Sequence, residues 1–278
     1  MSEEKSSLSL EMTPVRGLML ALFGAATILL IPLHYHVVGA ICWAACLGLV
    51  WRDEERALSR RMTVLLGCVA ILAICDINSS TKLANFAQVG IPFFLVIFLP
   101  AIILRKTDPG VIRYRFWPQK KPTLDIIYTV LSIPLAWGIL KFYWWVNPNL
   151  HLQWTMPPEA DPHEIKMLFL GINFVGIWDE LFFVNTVFAV FRSLFRYRIS
   201  NVLQAIVYTS VLYDMAFIGI GPLIIFLFAW TQGSMFEKSE CLLFVLIVHL
   251  IVDYVLVAFI VQSYYPGYGF DYLWRHGF

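Results

Sequence analysis

Apolar residues along this chain gather in long runs separated by short polar or basic stretches, and few polar positions fall inside the runs. Nine runs stand out, at about 17–33, 36–51, 62–76, 84–104, 124–146, 166–191, 200–218, 220–235 and 240–263. A helix needs about 20 apolar residues to cross a bilayer core, and several of the runs approach or exceed that length. The pattern predicts an all-α fold, a polytopic transmembrane helical bundle of about eight to nine transmembrane helices. The runs at 36–51, 62–76 and 220–235 are the short ones, compatible with tilted, interfacial or half-inserted segments. Residues 1–278 read as a single integral membrane domain without an internal repeat or a low-complexity tract.

Composition sharpens this picture. Of the residues 59% are hydrophobic and 14% charged, against about 25% charged in a soluble domain, and the mean hydropathy is +0.72. The partner implied is the lipid bilayer, and a formal net charge of +1 gives no reason to expect nucleic acid. The five cysteines include no C-x-x-C pair and read as small buried apolar residues rather than a zinc or disulfide framework. Acids are mixed into the start, MSEEKSSLSLEMTPVRG, so the first run reads as a retained helix rather than a cleaved signal.

Basic residues then orient the bundle. With the N-terminus cytoplasmic, sixteen of the 20 Lys and Arg fall in cytoplasmic segments, with Lys82, Lys166 and Arg275 outside and Lys141 within the fifth run. That bias supports nine crossings and a C-terminus outside, and the expected setting is a prokaryotic cell (inner) membrane. The outer loop NPNLHLQWTMPPEADPHEI is rich in proline and acid, and the tail SYYPGYGFDYLWRHGF reads as an aromatic interfacial segment.

Ionisable groups inside such runs cost several kcal/mol unless they are paired, neutralised or hydrated. Those that remain are Asp179 and Glu180, side by side in GIWDELFFVN, then Asp214, His249 and Asp253, and Lys141, which can snorkel. His249 and Asp253 stand four apart in VHLIVDYV and therefore point from one helical face. Asp179 and Glu180 diverge by about 100° on a helix, so one of them is expected to face the bundle centre while the other makes a structural contact. Taken singly, each acid could be a protonated helix–helix hydrogen bond. Gathered on three runs, they point to a shared polar cavity. Asn173, Asn185, Gln204, Trp230 and Gln232 read chiefly as inter-helix hydrogen bonds, with a lining of the site or of a substrate path as the alternative. His34 and His36 do not share a helical face, which favours interfacial packing over a metal site.

These residues carry a resemblance. A carboxylate pair, an aromatic-led motif on the next run and H-x-x-x-[ND] on a later one resemble the CPBP family, the intramembrane proteases named for CAAX processing and bacteriocin processing. The family's motifs read E-E-x-x-x-R, F-x-x-x-H and H-x-x-x-[ND]. Here DELFFV puts Asp179 and Glu180 at the two glutamates and Val184 where arginine is expected. SVLYDMAF puts Tyr213 at the aromatic position and Phe217 at the histidine, while the third motif is intact as His249 and Asp253. The likeness covers about residues 166–263, the CPBP-like core region, and the first five runs contribute nothing specific to it.

The resemblance implies a glutamic-type intramembrane endopeptidase. The first-motif acid would activate a water, and the third-motif histidine with its partner would stabilise the oxyanion. The departures matter, because Phe217 cannot hydrogen-bond a water, and one lost oxyanion donor is worth about 3 to 4 kcal/mol. Asp214, three residues before Phe217 and close to the same helical face, is a candidate replacement, and Tyr213 is a candidate oxyanion donor. The catalytic candidates are therefore Asp179, Glu180, Asp214, His249 and Asp253, with Tyr213, Phe217 and Trp178 as candidates for substrate contact. Such oxygens and one imidazole would suit a divalent metal such as zinc or manganese. They would equally suit a pair of carboxylates sharing a proton, which needs no cofactor.

The expected substrate is a membrane-embedded or lipid-anchored peptide or protein. Two other classes fit parts of the pattern. A catalytically inactive relative, acting as a membrane scaffold, immunity or regulatory protein, would explain the loss of the family arginine and histidine. A proton-coupled transporter could use the acids as a relay, although the chain lacks the repeat symmetry usual in transporters.

Overall fold

In a computed structural model, which describes residues 9–78, 83–118, 122–215 and 217–268, every one of the nine runs is helical. The helices are α1 (Pro14–Leu30), α2 (His36–Arg52), α3 (Arg56–Ala73), α4 (Leu83–Thr107) and α5 (Thr123–Val146). A short 3-10 turn, Leu150–Gln153, precedes α6 (Pro162–Arg192), and α7 (Tyr197–Leu212), α8 (Gly221–Ser239) and α9 (Leu242–Tyr264) complete the chain. Lys5, Lys82, Lys120, Lys121 and Arg275 of the charge count, and the end of the aromatic tail, lie outside the described residues.

Local chemistry sets the helix starts. Thr13 caps α1 by accepting from Arg16 N at 3.2 Å, with Pro14 opening the first turn, and Asp161 caps α6 by accepting from His163 N at 2.9 Å, with Pro162 in the same place. Pro92 and Pro100 inside α4 and Pro134 inside α5 are the helix-interior prolines that neighbouring helices make tolerable in apolar bundles. Glu240 ends α8 in the left-handed conformation at φ 49° and donates its N–H to Phe236 O at 2.8 Å.

Four helical stretches among the described residues are long and apolar enough to cross a membrane: Ala87–Thr107 in α4, Thr123–Val146, Pro162–Arg192 and Leu242–Tyr264. That is fewer than the eight or nine the runs predict, for reasons of length and charge. The helices α1, α2 and α7 have 17, 17 and 16 residues, short of the ~20 that fill a bilayer core. In addition, α3 opens on RALSRR and α8 closes on FEKS. The spanning helices carry apolar exteriors, with Ile91 and Phe98 on α4 and Val130 and Ile133 on α5 all exposed. Apolar faces of that extent belong against lipid.

Charged helix ends are tied together at one end of the bundle. Asp108, just past α4, accepts from Arg60 at 2.9 Å and from Arg61 at 2.9 Å, and Arg61 continues to the hydroxyl of Ser193 beyond α6 at 3.1 Å. Arg16 pairs with Asp53, Arg192 with Glu237 and Arg115 with Glu240. The helix α6 runs between two apolar cores. One holds Phe23, Met62, Phe93 and Phe191 from α1, α3, α4 and α6. The other holds Leu140, Trp154, Leu168 and Val257 from α5, the loop between α5 and α6, α6 and α9.

Candidate active site

The geometry of the candidate site begins with a change of winding. From Glu180 to Phe188 the helix α6 opens into a π-helical stretch, flanked by regular α-helix through Asp179 and from Ala189. Thr186 Oγ1 donates to Leu181 O, five residues back, at 2.9 Å. Wider turns of this kind mark functional sites in many helices, and here the widening starts at the carboxylate pair.

Asp179 and Glu180 both reach one imidazole. His249, from the middle of α9, presents Nδ1 to Glu180 Oε1 at 2.6 Å, while its Nε2 lies 3.7 Å from Asp179 Oδ2. The expectation that only one acid would face the bundle centre does not hold. The two side chains leave the helix in diverging directions, yet the longer glutamate reaches one edge of the ring and the shorter aspartate the other. Asp253, one turn along α9 as its spacing predicts, brings Oδ1 to 3.6 Å from His249 Nε2. Three carboxylates therefore surround a single histidine, and all four residues are buried.

Neighbouring side chains fix this arrangement. Gln232 of α8 donates Nε2–H to Glu180 Oε1 at 3.0 Å and to the Val245 carbonyl at 3.0 Å, tying α6, α8 and α9 together. Tyr208 of α7, fully buried, places its hydroxyl 3.2 Å from His249 Nδ1 and donates to Asp179 Oδ2 at 3.5 Å. The ring of Phe228 meets the imidazole edge-on, with centroids 5.2 Å apart. Close packing makes room for the acids, because a Cβ at Gly176 would collide with Asp253 Oδ2 and lie 2.9 Å from His249 Cδ2.

The remaining expected residues fall elsewhere. Asp214 lies on the turn after α7, its Oδ2 3.4 Å from His34 Nε2, and does not join the cluster. Burial raises its carboxyl above the ordinary range while His34 pulls it down. Tyr213 ends α7 with its side chain exposed. Trp178 is buried against α4, donating to Phe93 O at 2.6 Å and stacking on that ring at 3.7 Å. Val184, at the position where the family motif has arginine, packs with Phe188, Leu242 and Val245. Phe217 does reach the neighbourhood: with Tyr208, His249 and Asp253 it lines a largely apolar cavity of about 620 Å³ between α5, α7, α8 and α9.

Tyr208 is the site residue that sequence reasoning missed. The signal that could have found it is a tyrosine whose hydroxyl needs a partner inside an apolar run; matching the second motif to Tyr213 and Phe217 drew attention one turn too far along α7. Among the described residues no group of three or more His, Cys, Asp or Glu side chains is placed to hold a metal ion. Glu180 bonds to His249 Nδ1, while Asp179 and Asp253 stand 3.7 and 3.6 Å from Nε2, beyond hydrogen-bond length.

No protein-family model, curated protein or solved structure matches this chain. The functional reading therefore rests on the residues and their geometry.

Proposed function

We propose that this chain is an integral membrane hydrolase that cleaves a peptide bond in a membrane-embedded or lipid-anchored peptide or protein, as the resemblance to CPBP proteases implies. One observation carries the reading. A buried imidazole is gripped at Nδ1 by Glu180, and its other nitrogen faces Asp179 and Asp253 at 3.7 and 3.6 Å on the wall of an apolar cavity. Polar groups so concentrated in an apolar bundle are costly to keep without a use, and their convergence on one ring favours a shared chemical task over separate helix-to-helix bonds.

In this mechanism Glu180 and Gln232 orient the ring. Asp179, steadied by the Tyr208 hydroxyl, takes a proton from the attacking water as its oxygen bonds to the scissile carbonyl carbon. His249 Nε2–H and protonated Asp253 donate to the oxyanion that forms. Collapse of that intermediate breaks the C–N bond, and the proton held by Asp179 passes to the leaving amine. The products are a carboxylic acid and an amine, which part as carboxylate and ammonium once the acid's proton passes to the amine, and the substrate's apolar portion occupies the cavity beside Phe217 and Phe228. We read all nine helices as membrane-embedded, with the N-terminus and the arginine-rich end cytoplasmic.

The test is to compare peptide termini in membranes expressing the wild type, Asp179→Asn or His249→Ala. Termini that appear with the wild type and vanish with both folded variants support the hydrolase. If no terminus differs, the reading falls. A second reading then gains from the way the cluster's bonds close on one another: a non-catalytic scaffold that uses them as interhelical glue, detected by a partner that co-purifies with wild type and variants alike.

A further inference from the structure

Buried polar atoms that no protein group satisfies are not scattered through this fold. Among the described residues nine side-chain atoms are in this condition, and three of them belong to Asp179, Glu180 and Asp253 of the cluster. The other six belong to four amides, Asn185, Asn201, Gln204 and Gln232, on α6, α7 and α8.

These amides occupy the space between the cluster and the charged end of the bundle. Gln232 is bonded to Glu180 through Nε2, and its Oε1 is unsatisfied. Gln204 stands one turn before Tyr208 on α7, and Asn201 stands about one turn before that, on the same face. That face lies tight against α8 because of Gly233, where a Cβ would collide with Asn201 Oδ1 and stand 3.3 Å from Gln204 Oε1. Asn185 follows Glu180 by one turn of the π-helical stretch. It also lines a cavity of about 610 Å³ at the charged end, together with Arg61, Arg115, Arg192, Glu237 and Glu240.

Buried amides are almost always bonded, to protein or to ordered water. A side-chain amide offers two donors and one acceptor oxygen without net charge, the chemistry of a water ligand rather than of an ion site. We infer that Asn185, Asn201, Gln204 and Gln232 hold a file of bound water running from the charged cavity to Glu180. The file's use rests on the hydrolase reading, and its existence does not. Peptide hydrolysis consumes one water, and the other cavity beside His249 has apolar walls such as Leu140, Phe217, Phe228 and Leu256, a poor route for water when an apolar substrate fills it. Water enters from one side of the cluster and substrate from the other.

X-ray radiolytic footprinting of the full-length protein in lipid nanodiscs tests this, because hydroxyl radicals made from bound water oxidise the aromatic rings beside it. Fully buried Tyr208 is expected to be modified at a rate comparable with exposed Tyr114, and several-fold more slowly in the Asn185→Leu/Gln204→Leu double variant. The inference is overturned if Tyr208 is protected in the wild type. It is equally overturned if Tyr208 is modified at the same rate in the double variant, since the water then arrives through the apolar cavity. Should the double variant not fold, the single variant Gln204→Met carries the same comparison. A protected Tyr208 in a protein that still hydrolyses its substrate defeats the water file alone; a modified Tyr208 without detectable hydrolysis leaves the file standing and the hydrolase reading unsupported.

Discussion

Oε1 of Glu180 accepts from His249 Nδ1 at 2.6 Å and from Gln232 Nε2 at 3.0 Å, so a single carboxylate oxygen joins three helices of the bundle. The bond to His249 also fixes which ring nitrogen faces the other two acids. On the hydrolase reading, Glu180 is thus a positioning residue, and Asp179 is the acid that meets the water.

The first prediction separates the weight of Glu180 in stability from its part in hydrolysis. Glu180→Ala strips a buried donor pair of its acceptor and is expected to cost about 3 to 5 kcal/mol, the usual loss when one partner of a buried charged pair is removed. Glu180→Gln keeps an acceptor oxygen and is expected to fold with a near-normal unfolding midpoint. Its peptide hydrolysis should fall about 10- to 100-fold, the scale of weakening one hydrogen bond to a charged group that orients the ring. Thermal unfolding in detergent and cleavage of a co-expressed substrate measure the two effects. Equal stability of the alanine variant and the wild type would show that the bond has no structural weight.

Gly176→Ala tests the close approach of α6 to α9. The added methyl group would collide with Asp253 Oδ2 and press on the imidazole at 2.9 Å from Cδ2. Overpacking of this kind costs about 1 to 3 kcal/mol, and it displaces Asp253 from its place 3.6 Å from His249. The expected result is a folded, less stable protein without hydrolysis. Wild-type cleavage by Gly176→Ala would mean that Asp253 need not stay where it is.

Much of this arrangement was legible in the sequence. Apolar runs gave all nine helices, because a helix that buries its own backbone bonds is what long apolar segments form in this setting. The i, i+4 spacing placed His249 and Asp253 on one face, and the isolation of Asp179 and Glu180 in an apolar run marked them for the interior. The winding of α6 was not legible: nothing in ELFFVNTVF distinguishes a π-helical stretch from an α-helical one. Asp214 was misassigned to the cluster because α7 stops at Leu212, whereas the apolar run continues past it. Helical spacing beyond that point has no meaning, and the aspartate turns toward His34.

A pH dependence follows from the charged end. Hydrogen bonds from Arg60, and then Arg61, hold the Asp108 carboxyl down to about 2 against the opposing effect of burial. An unfolded aspartate titrates near ~3.9. The folded value is the lower one, so the contribution to stability is complete above the unfolded value and is lost as pH falls from about 4 towards 2. Allowing for solvent screening of Arg60, that contribution should be of order 1 kcal/mol. Unfolding midpoints measured across this range should therefore drop less in Asp108→Asn than in the wild type, and the variant should be less stable at neutral pH. Parallel curves for the two proteins would sink the assignment.

The sharpest contrast is between two residues of neighbouring sequence, Tyr208 and Asp214. The Tyr208 hydroxyl touches both His249 and Asp179, at 3.2 and 3.5 Å, and its ring is held between Phe183, with centroids 4.3 Å apart, and the imidazole. Tyr208→Phe removes only the hydroxyl, so packing survives while Asp179 loses a donor that steadies it. Hydrolysis is expected to fall about 10- to 100-fold, as for loss of one hydrogen bond to a charged group worth about 1.5 to 3 kcal/mol, with the fall in kcat rather than in KM. Asp214→Ala breaks only the contact with exposed His34 and is expected to cleave as the wild type does. Kinetics of the two purified variants on one substrate decide the matter. If Asp214→Ala is inactive and Tyr208→Phe is not, the chemistry lies at the turn after α7, and the cluster around His249 is structural.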